Sequence, residues 1–411
     1  METAVNPAEI ESPAANAAVA AIAGCGAVTA AGRGLAALHA AVAANGSALQ
    51  RRECLIGKTQ QSVVAGFVPE EITGQLQAAD PAHADSRVFL YAAAALQEAV
   101  DQAGTEWQGR PAARRGFVLS TTKANIEALD CMVRREAVST VAQRQLQPAW
   151  LAADLAAAFD CGGPVQCVSA ACISGLCALR QGAAMLRRGQ ADAVLVAGVD
   201  LISHFVLAGF NALKSLDPAG CRPFDRNRLG LSLGEGAGAV VLVRRERLAS
   251  PRIVLAGSGT SNDANHLTGP SRDGSGLALA IRRALAAAGL APEQLDFIHA
   301  HGTGTAYNDT MEALAFRSVF GERMPPFCSS KGLLGHTLGA AGVLETVLCV
   351  HALQTGRLPG TPRLLERDPV VPASLLAEPC VAAKLARILK VNCGFGGTNA
   401  ALILELEQDP A

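Results

Sequence analysis

The chain carries almost no net charge: Lys plus Arg number 35 against 36 Asp plus Glu, leaving −1 over 411 residues. No basic surplus marks a nucleic-acid binder, and two Trp and two Tyr offer few platforms for stacking bases. No C-x-x-C pair and no Cys/His cluster at zinc spacing occurs, despite 12 cysteines. Several cysteines sit in apolar runs, Cys349 in VLCVHAL for one, which points to free thiols in a reducing cytoplasm. A Leu-rich hydrophobic run is missing too. The uncharged stretch 13–32 is Ala/Gly-rich and follows no basic segment, so it is read as neither signal peptide nor membrane span. No low-complexity linker divides the chain.

What is present is half hydrophobic and rich in glycine, with 41 residues of it, enough to bury a large core. Strand-like runs (Val19–Gly26, Gly116–Thr121, Val165–Ser169, Ala193–Gly198, Gly238–Val243) alternate with helical patterns (Ser86–Ala103, Trp150–Phe159, Cys172–Arg188). A second set repeats the alternation from Arg252 to Leu406. Alternation of this kind predicts an α/β fold with largely parallel sheets covered on both faces. Each half ends in a Gly-rich turn feeding an apolar strand, GEGAGAVVLV from Gly234 and GFGGTNAALIL from Gly394. That echo predicts a duplicated unit with its site at the junction. The expected division is a mobile tail over 1–17, a first half over 18–250 and a second over 251–411, with Pro251 at the boundary.

The stretch Gln166 to Arg180, QCVSAACISGLCALR, runs from a buried strand through small residues into a helix. Cys172 falls at that strand-to-helix turn, where a helix N-terminus favours a thiolate and offers amide donors to an oxyanion. Small buried packing is the other reading of such a cysteine. Three further stretches stand out: HGTGT from His301 with Asp309 and Glu312 after it, KGLLGHTLGAAG from Lys331, and NCGFGGTN from Asn392. One activated Cys with two loop His points to nucleophilic acyl chemistry.

In this order the motifs resemble the β-ketoacyl-ACP synthase family of the thiolase superfamily, in its elongating Cys-His-His branch. The resemblance runs from about Val19 to Leu406 and includes CRPFDRNRLGLSLGEGAGAVVLV from Cys221. It implies a thiolase-like fold: two similar βαβαβ halves stacked as a five-layered α-β-α-β-α sandwich. It implies Cys172 as the acyl-accepting nucleophile, His301 and His336 as the pair acting on the malonyl unit, and Lys331 as the lysine between them. Thr303 and Thr305 match the threonines that hold the phosphopantetheine arm, and Phe395 the gating phenylalanine. The backbone N–H groups of Cys172 and Phe395 match the oxyanion hole, and Asp309, Glu312 and Glu345 match acidic residues that fix the site. An ion pair of Lys331 with Asp309 or Glu312 is the alternative to a direct role for that lysine.

The activity so implied is decarboxylative Claisen condensation of an acyl thioester with malonyl-ACP, in fatty-acid or type II polyketide elongation, without a bound cofactor or metal. The implied partners are the acyl carrier protein, whose phosphopantetheine arm carries substrate, and either a second copy or a nucleophile-less paralogue. Neither nucleic acid nor membrane is expected as a partner. Ala193–Gly198 and Cys167–Ala170 are the apolar strands expected to offer an edge for pairing. Ile173 and Cys393 depart from the family's usual residues. Ser120-Thr-Thr-Lys-Ala-Asn125 is unlike the Gly-rich run of fatty-acid enzymes and resembles stand-alone ketosynthases of aryl-polyene and flexirubin-type pathways. A thiolase would show Gly-His-Pro, whereas Thr337 follows His336. A chain-length factor would lack the nucleophile.

Overall fold

The computed structural model describes residues 20–249, 252–382 and 384–407. The expected tail over 1–17 and the boundary at Pro251 lie outside them.

Two sets of five strands build the molecule. The first is β1 (Ala20–Thr29), β4 (Arg115–Ser120), β5 (Val165–Val168), β6 (Ala193–Asp200) and β7 (Gly236–Arg244). The second is β8 (Arg252–Asn262), β9 (Phe297–His299), β10 (Phe327–Cys328), β11 (Arg387–Gly394) and β12 (Thr398–Glu407). Between β1 and β4 comes a hairpin of β2 (Gln50–Ile56) and β3 (Thr59–Ala65).

The strand order is β5-β4-β6-β7-β1 in one half and β10-β9-β11-β12-β8 in the other. Numbered within each half, both read third-second-fourth-fifth-first, with the same parallel and antiparallel pairings. The duplication read from two glycine-rich turns is thus a repeat of topology. The sheets are mixed rather than largely parallel. The fifth strand of each half returns antiparallel to the fourth and to the first. Among the described residues a single bridge, Ala21 to Val254, joins the two sheets.

Helices fill the remaining layers. α1 (Arg87–Ala103) and α2 (Pro148–Ala158) cover the outer face of the first sheet, and α4 (Ser275–Ala288) and α5 (Ala306–Phe320) that of the second. α3 (Ser174–Arg187) and α6 (Ala341–Thr355) form the middle layer, sharing one apolar core with the inner faces of both sheets. The result is the five-layered sandwich expected. α3 and α6 cross at glycines: a Cβ on Gly342 would sit 2.6 Å from the Leu176 nitrogen, and one on Gly175 2.7 Å from the Val343 nitrogen. Among the described residues, Leu338–Thr355 is long and apolar enough to cross a membrane, but it is this middle layer and 83% buried.

Of the two runs expected to offer a pairing edge, Cys167–Ala170 overlaps the observed edge strand and Ala193–Gly198 does not. β6 lies between β4 and β7, so Ala193–Gly198 is interior. The edge is β5, half-exposed, with Val165 40% accessible.

Candidate active site

The turn before α3 is held open by its own residues. Ala171 takes φ 49°, a left-handed conformation costly for a side chain with a Cβ. Ser174 fastens it, its hydroxyl donating to the Ala171 carbonyl at 2.6 Å and accepting the Ala170 N–H at 2.8 Å. Cys172 therefore stands just ahead of the helix rather than inside it, its side chain buried. Burial raises its thiol to about 11, against the opposing influence of Lys331, Lys123 and the Phe395 N–H. The helix N-terminus was expected to favour the thiolate; desolvation outweighs it, and the resting group is the thiol.

His336 Nε2 lies 3.1 Å from the Cys172 sulfur. Its Nδ1 accepts the Leu338 N–H at 3.3 Å, which leaves the ring proton on Nε2. His301 meets His336 edge-on, ring centroids 5.1 Å apart, and its Nδ1 faces the Asn392 amide nitrogen at 3.0 Å. One ligand atom each from Cys172, His301 and His336 falls within 4.8 Å of the others. Burial first, then the Lys331 charge, holds both imidazoles well below their usual value, so both are neutral. A neutral, Nε2-protonated pair aimed at one point is a pair of hydrogen-bond donors, not bases.

His336 belongs to the second half by sequence but is stitched to the first. Its N–H donates to Ser232 O at 2.7 Å and its carbonyl accepts from Gly234 N–H at 2.9 Å. Three residues on, Gly339 N–H donates to buried Asp200, which also accepts from Thr121 and Thr122.

The two acidic residues on α5 grip the HGTGT loop from beneath. Glu312 accepts the N–H groups of His301 and Gly302 at 2.7 and 2.6 Å, and Asp309 those of Thr303, Gly304 and Phe224. Burial, then Asp309, pushes Glu312 up to about 7. Neither pairs with Lys331. That ammonium, fully buried, meets Glu345 at 2.5 Å, because Glu345 on α6 faces the site while α5 lies under the loop. The Thr303 and Thr305 hydroxyls are 2.9 Å apart, Thr303 buried and Thr305 half-buried. Phe395 stacks on Phe210 with centroids 5.9 Å apart, at the mouth of the Gly-rich loop that approaches the Cys172 amide.

Sequence reading missed three residues. Lys390 is wholly buried and bonds the second Glu345 oxygen at 2.8 Å. Asn392, two residues on, bonds both Glu345 and His301. Ser174 pins the nucleophile turn. The signal for the first was in plain view: a lone charge inside the apolar strand ILKVN.

The family description "Beta-ketoacyl synthase, N-terminal domain" matches residues 17–247, and "Beta-ketoacyl synthase, C-terminal domain" matches 252–364. Polyketide β-ketoacyl synthase 1 of Streptomyces halstedii is 34% identical over 343 residues, spanning 77% of this chain and 81% of its own. Among solved structures, the ketosynthase ApeO in complex with its chain length factor ApeC, from Xenorhabdus doucetiae, superposes with TM-score 0.83 at 29% identity, covering 95% of this chain and 98% of that one. The ishigamide ketosynthase/chain length factor gives TM-score 0.85 at 29% identity, covering 95% and 100%. With its fold, its Cys-His-His cluster and these likenesses, the chain belongs to the β-ketoacyl synthase family, condensing enzymes of fatty-acid or type II polyketide chain elongation.

Proposed function

We propose that Cys172 accepts the acyl group and that His301 and His336 drive decarboxylation of malonyl-ACP at the same point. The observation that carries this reading is the convergence of two neutral Nε2–H donors on a buried thiol. The thiol attacks the acyl thioester; its proton ends on the departing phosphopantetheine sulfur, so no free thiolate is needed beforehand. Malonyl-ACP then enters with its thioester oxygen between the two imidazoles. The bond to the carboxylate breaks, CO2 leaves, and the electron pair becomes an enolate whose oxygen the two N–H groups hold. The enolate carbon attacks the acyl carbonyl, whose oxygen takes the N–H groups of Cys172 and Phe395. Collapse expels the Cys172 thiolate, which regains a proton from solvent.

Thr303 and Thr305 are assigned to the pantetheine arm and Phe395 to the entrance. Lys331, Glu345, Asp309 and Glu312 position the histidines and their loop rather than touch substrate. The open edge at β5 and the exposed Met132, Val133, Trp150 and Phe205 nearby support a two-fold partner on the first half. Either a second copy or a nucleophile-less paralogue fits that face; the named partners of the two solved relatives favour the paralogue. A cavity of about 440 Å³ beside it is lined by Arg87, Glu127 and Asp130 as well as by Ala128, Ile202 and Leu207, and its apolar side is assigned to the acyl chain. Asn125 does not reach it: that side chain is buried and donates to Ser86 and the Ala142 carbonyl. The STTKAN stretch supports a polyketide or aryl-polyene rather than a fatty-acid role.

The test is incubation with a panel of acyl-ACPs plus malonyl-ACP, alone and with a co-expressed nucleophile-less paralogue. Elongated β-ketoacyl-ACP is expected. Absence of product with every acyl-ACP under both conditions would sink the reading.

A further inference from the structure

Behind the histidines lies a charge arrangement that the reaction does not touch. Glu345 is met by two buried ammonium groups, Lys331 on one oxygen and Lys390 on the other. One carboxylate between two lysines leaves an excess positive charge beneath the site. Lys390 also donates to the His299 and Ala300 carbonyls, which fixes it at the root of the His301 loop. Lys390 and Asn392 alternate along β11, so both side chains leave the same face of the strand.

The Asn392 amide settles which way it points. A carboxylate can only accept, so the group 3.0 Å from Glu345 Oε2 must be the NH2. The same nitrogen lies 3.0 Å from His301 Nδ1 and spends its second hydrogen there. His301 Nδ1 is therefore an acceptor and its proton sits on Nε2, toward the nucleophile. His336 gets the same tautomer from a backbone N–H. Only the His301 tautomer hangs on a side chain, and so only it can be switched by substitution.

Resting on the condensing role proposed above, we propose that Asn392 and Lys390 form a positioning relay, Lys390–Glu345–Asn392–His301, that sets His301 as a donor to the enolate oxygen. Lys331 and Lys390 keep Glu345 ionised, so that Glu345 takes one amide hydrogen and turns the other to His301. The relay serves decarboxylation and not acylation of Cys172, since His301 is not bonded to the sulfur.

Asn392→Asp tests it isosterically. Neutral, that carboxyl has one hydrogen, which Glu345 takes, and charged it has none; either way a neutral His301 must donate from Nδ1, and Nε2 loses its proton. Loss of one such donor should slow malonyl-ACP decarboxylation ~10²–10³-fold, with acyl transfer from acyl-ACP to Cys172 within about threefold of wild type. Asn392→Ala leaves the tautomer free, and Lys390→Met removes the second cation; each should cost decarboxylation about tenfold and leave acylation intact. Near-UV circular dichroism of the intact assembly reports whether each variant is folded. A folded Asn392→Asp enzyme that decarboxylates as fast as Asn392→Ala, or that loses both half-reactions in step, overturns the relay. Should Asn392→Asp not fold, unchanged decarboxylation in folded Asn392→Ala and Lys390→Met overturns it. Wild type that condenses nothing would sink the condensing role instead, a separate outcome.

Discussion

The two halves share a topology but close their edges differently. In the second half the edge strand β10 is sealed within the chain: Phe327 N–H donates to Ser374 O, Leu376 N–H donates to Phe327 O, and Phe327 is fully buried. In the first half the matching strand, β5, has no strand on its outer side among the described residues and is half-exposed. The same division marks the chemistry. The first half supplies one reactive group, on a strained turn before α3. The second, in the roles proposed above, supplies His301 from the loop before α5 and His336, Lys331 and Glu345 from α6, the helix at the equivalent place, and the turn that leads to it.

The largest expected effect separates these two roles. Cys172→Ala should lower condensation on the order of 10⁴-fold or more while malonyl-ACP decarboxylation persists, because the donors come from the other half. Mass spectrometry of the acylated protein and CO2 release check it; condensation at near wild-type rate would refute the nucleophile assignment. The converse break is His301→Ala or His336→Ala. Each should cost condensation ~10²–10³-fold with Cys172 still acylated by acyl-ACP. Equal loss of acylation would mean the imidazoles serve the thiol.

The edges come next. Phe327→Ala removes a fully buried ring at the sealed edge and should cost stability about 3–5 kcal/mol without altering association. Val165→Glu at the open edge should leave each protomer folded and weaken pairing at least about tenfold. Urea midpoints and sedimentation over a concentration series read the two effects. A Val165→Glu protein that pairs as tightly as wild type would place the interface elsewhere.

The last prediction concerns acid. Burial, then Lys390, lowers His299 to about 3, so the folded protein keeps it neutral where the unfolded chain, with an ordinary value of 6.5, protonates it. Its contribution is present above pH 6.5 and is lost as pH falls toward 3, at up to ~1.4 kcal/mol per pH unit. His299→Gln removes that dependence, so its urea midpoint should fall less between pH 7 and pH 5 than that of wild type. A larger fall in the variant would reverse the sign.

Motif order alone carried the family, and periodicity carried the alternation of strands and helices, since both are local. Cys172, His301 and His336 were legible because each sits in a run of small residues leading into a helix, Ser and Ala before Cys172 and Gly around the two histidines. The first strand of the β2–β3 hairpin escaped, because its polar, mostly exposed residues leave no hydrophobic alternation to read. The partner of Lys331 also escaped, because ion pairing depends on which helix faces the site and not on separation along the chain.

By itself, then, the sequence determined the local elements, the turn that presents the nucleophile and the residue types of the site. The tertiary structure decided the rest. It put β6 inside and β5 at the edge, because strand order follows from how crossovers wrap the sheet. It raised the Cys172 thiol, because desolvation is a property of everything packed around a group. It joined Lys390, Glu345, Asn392 and His301, because residues 45 and more positions apart become neighbours only when two sheets close on one middle layer.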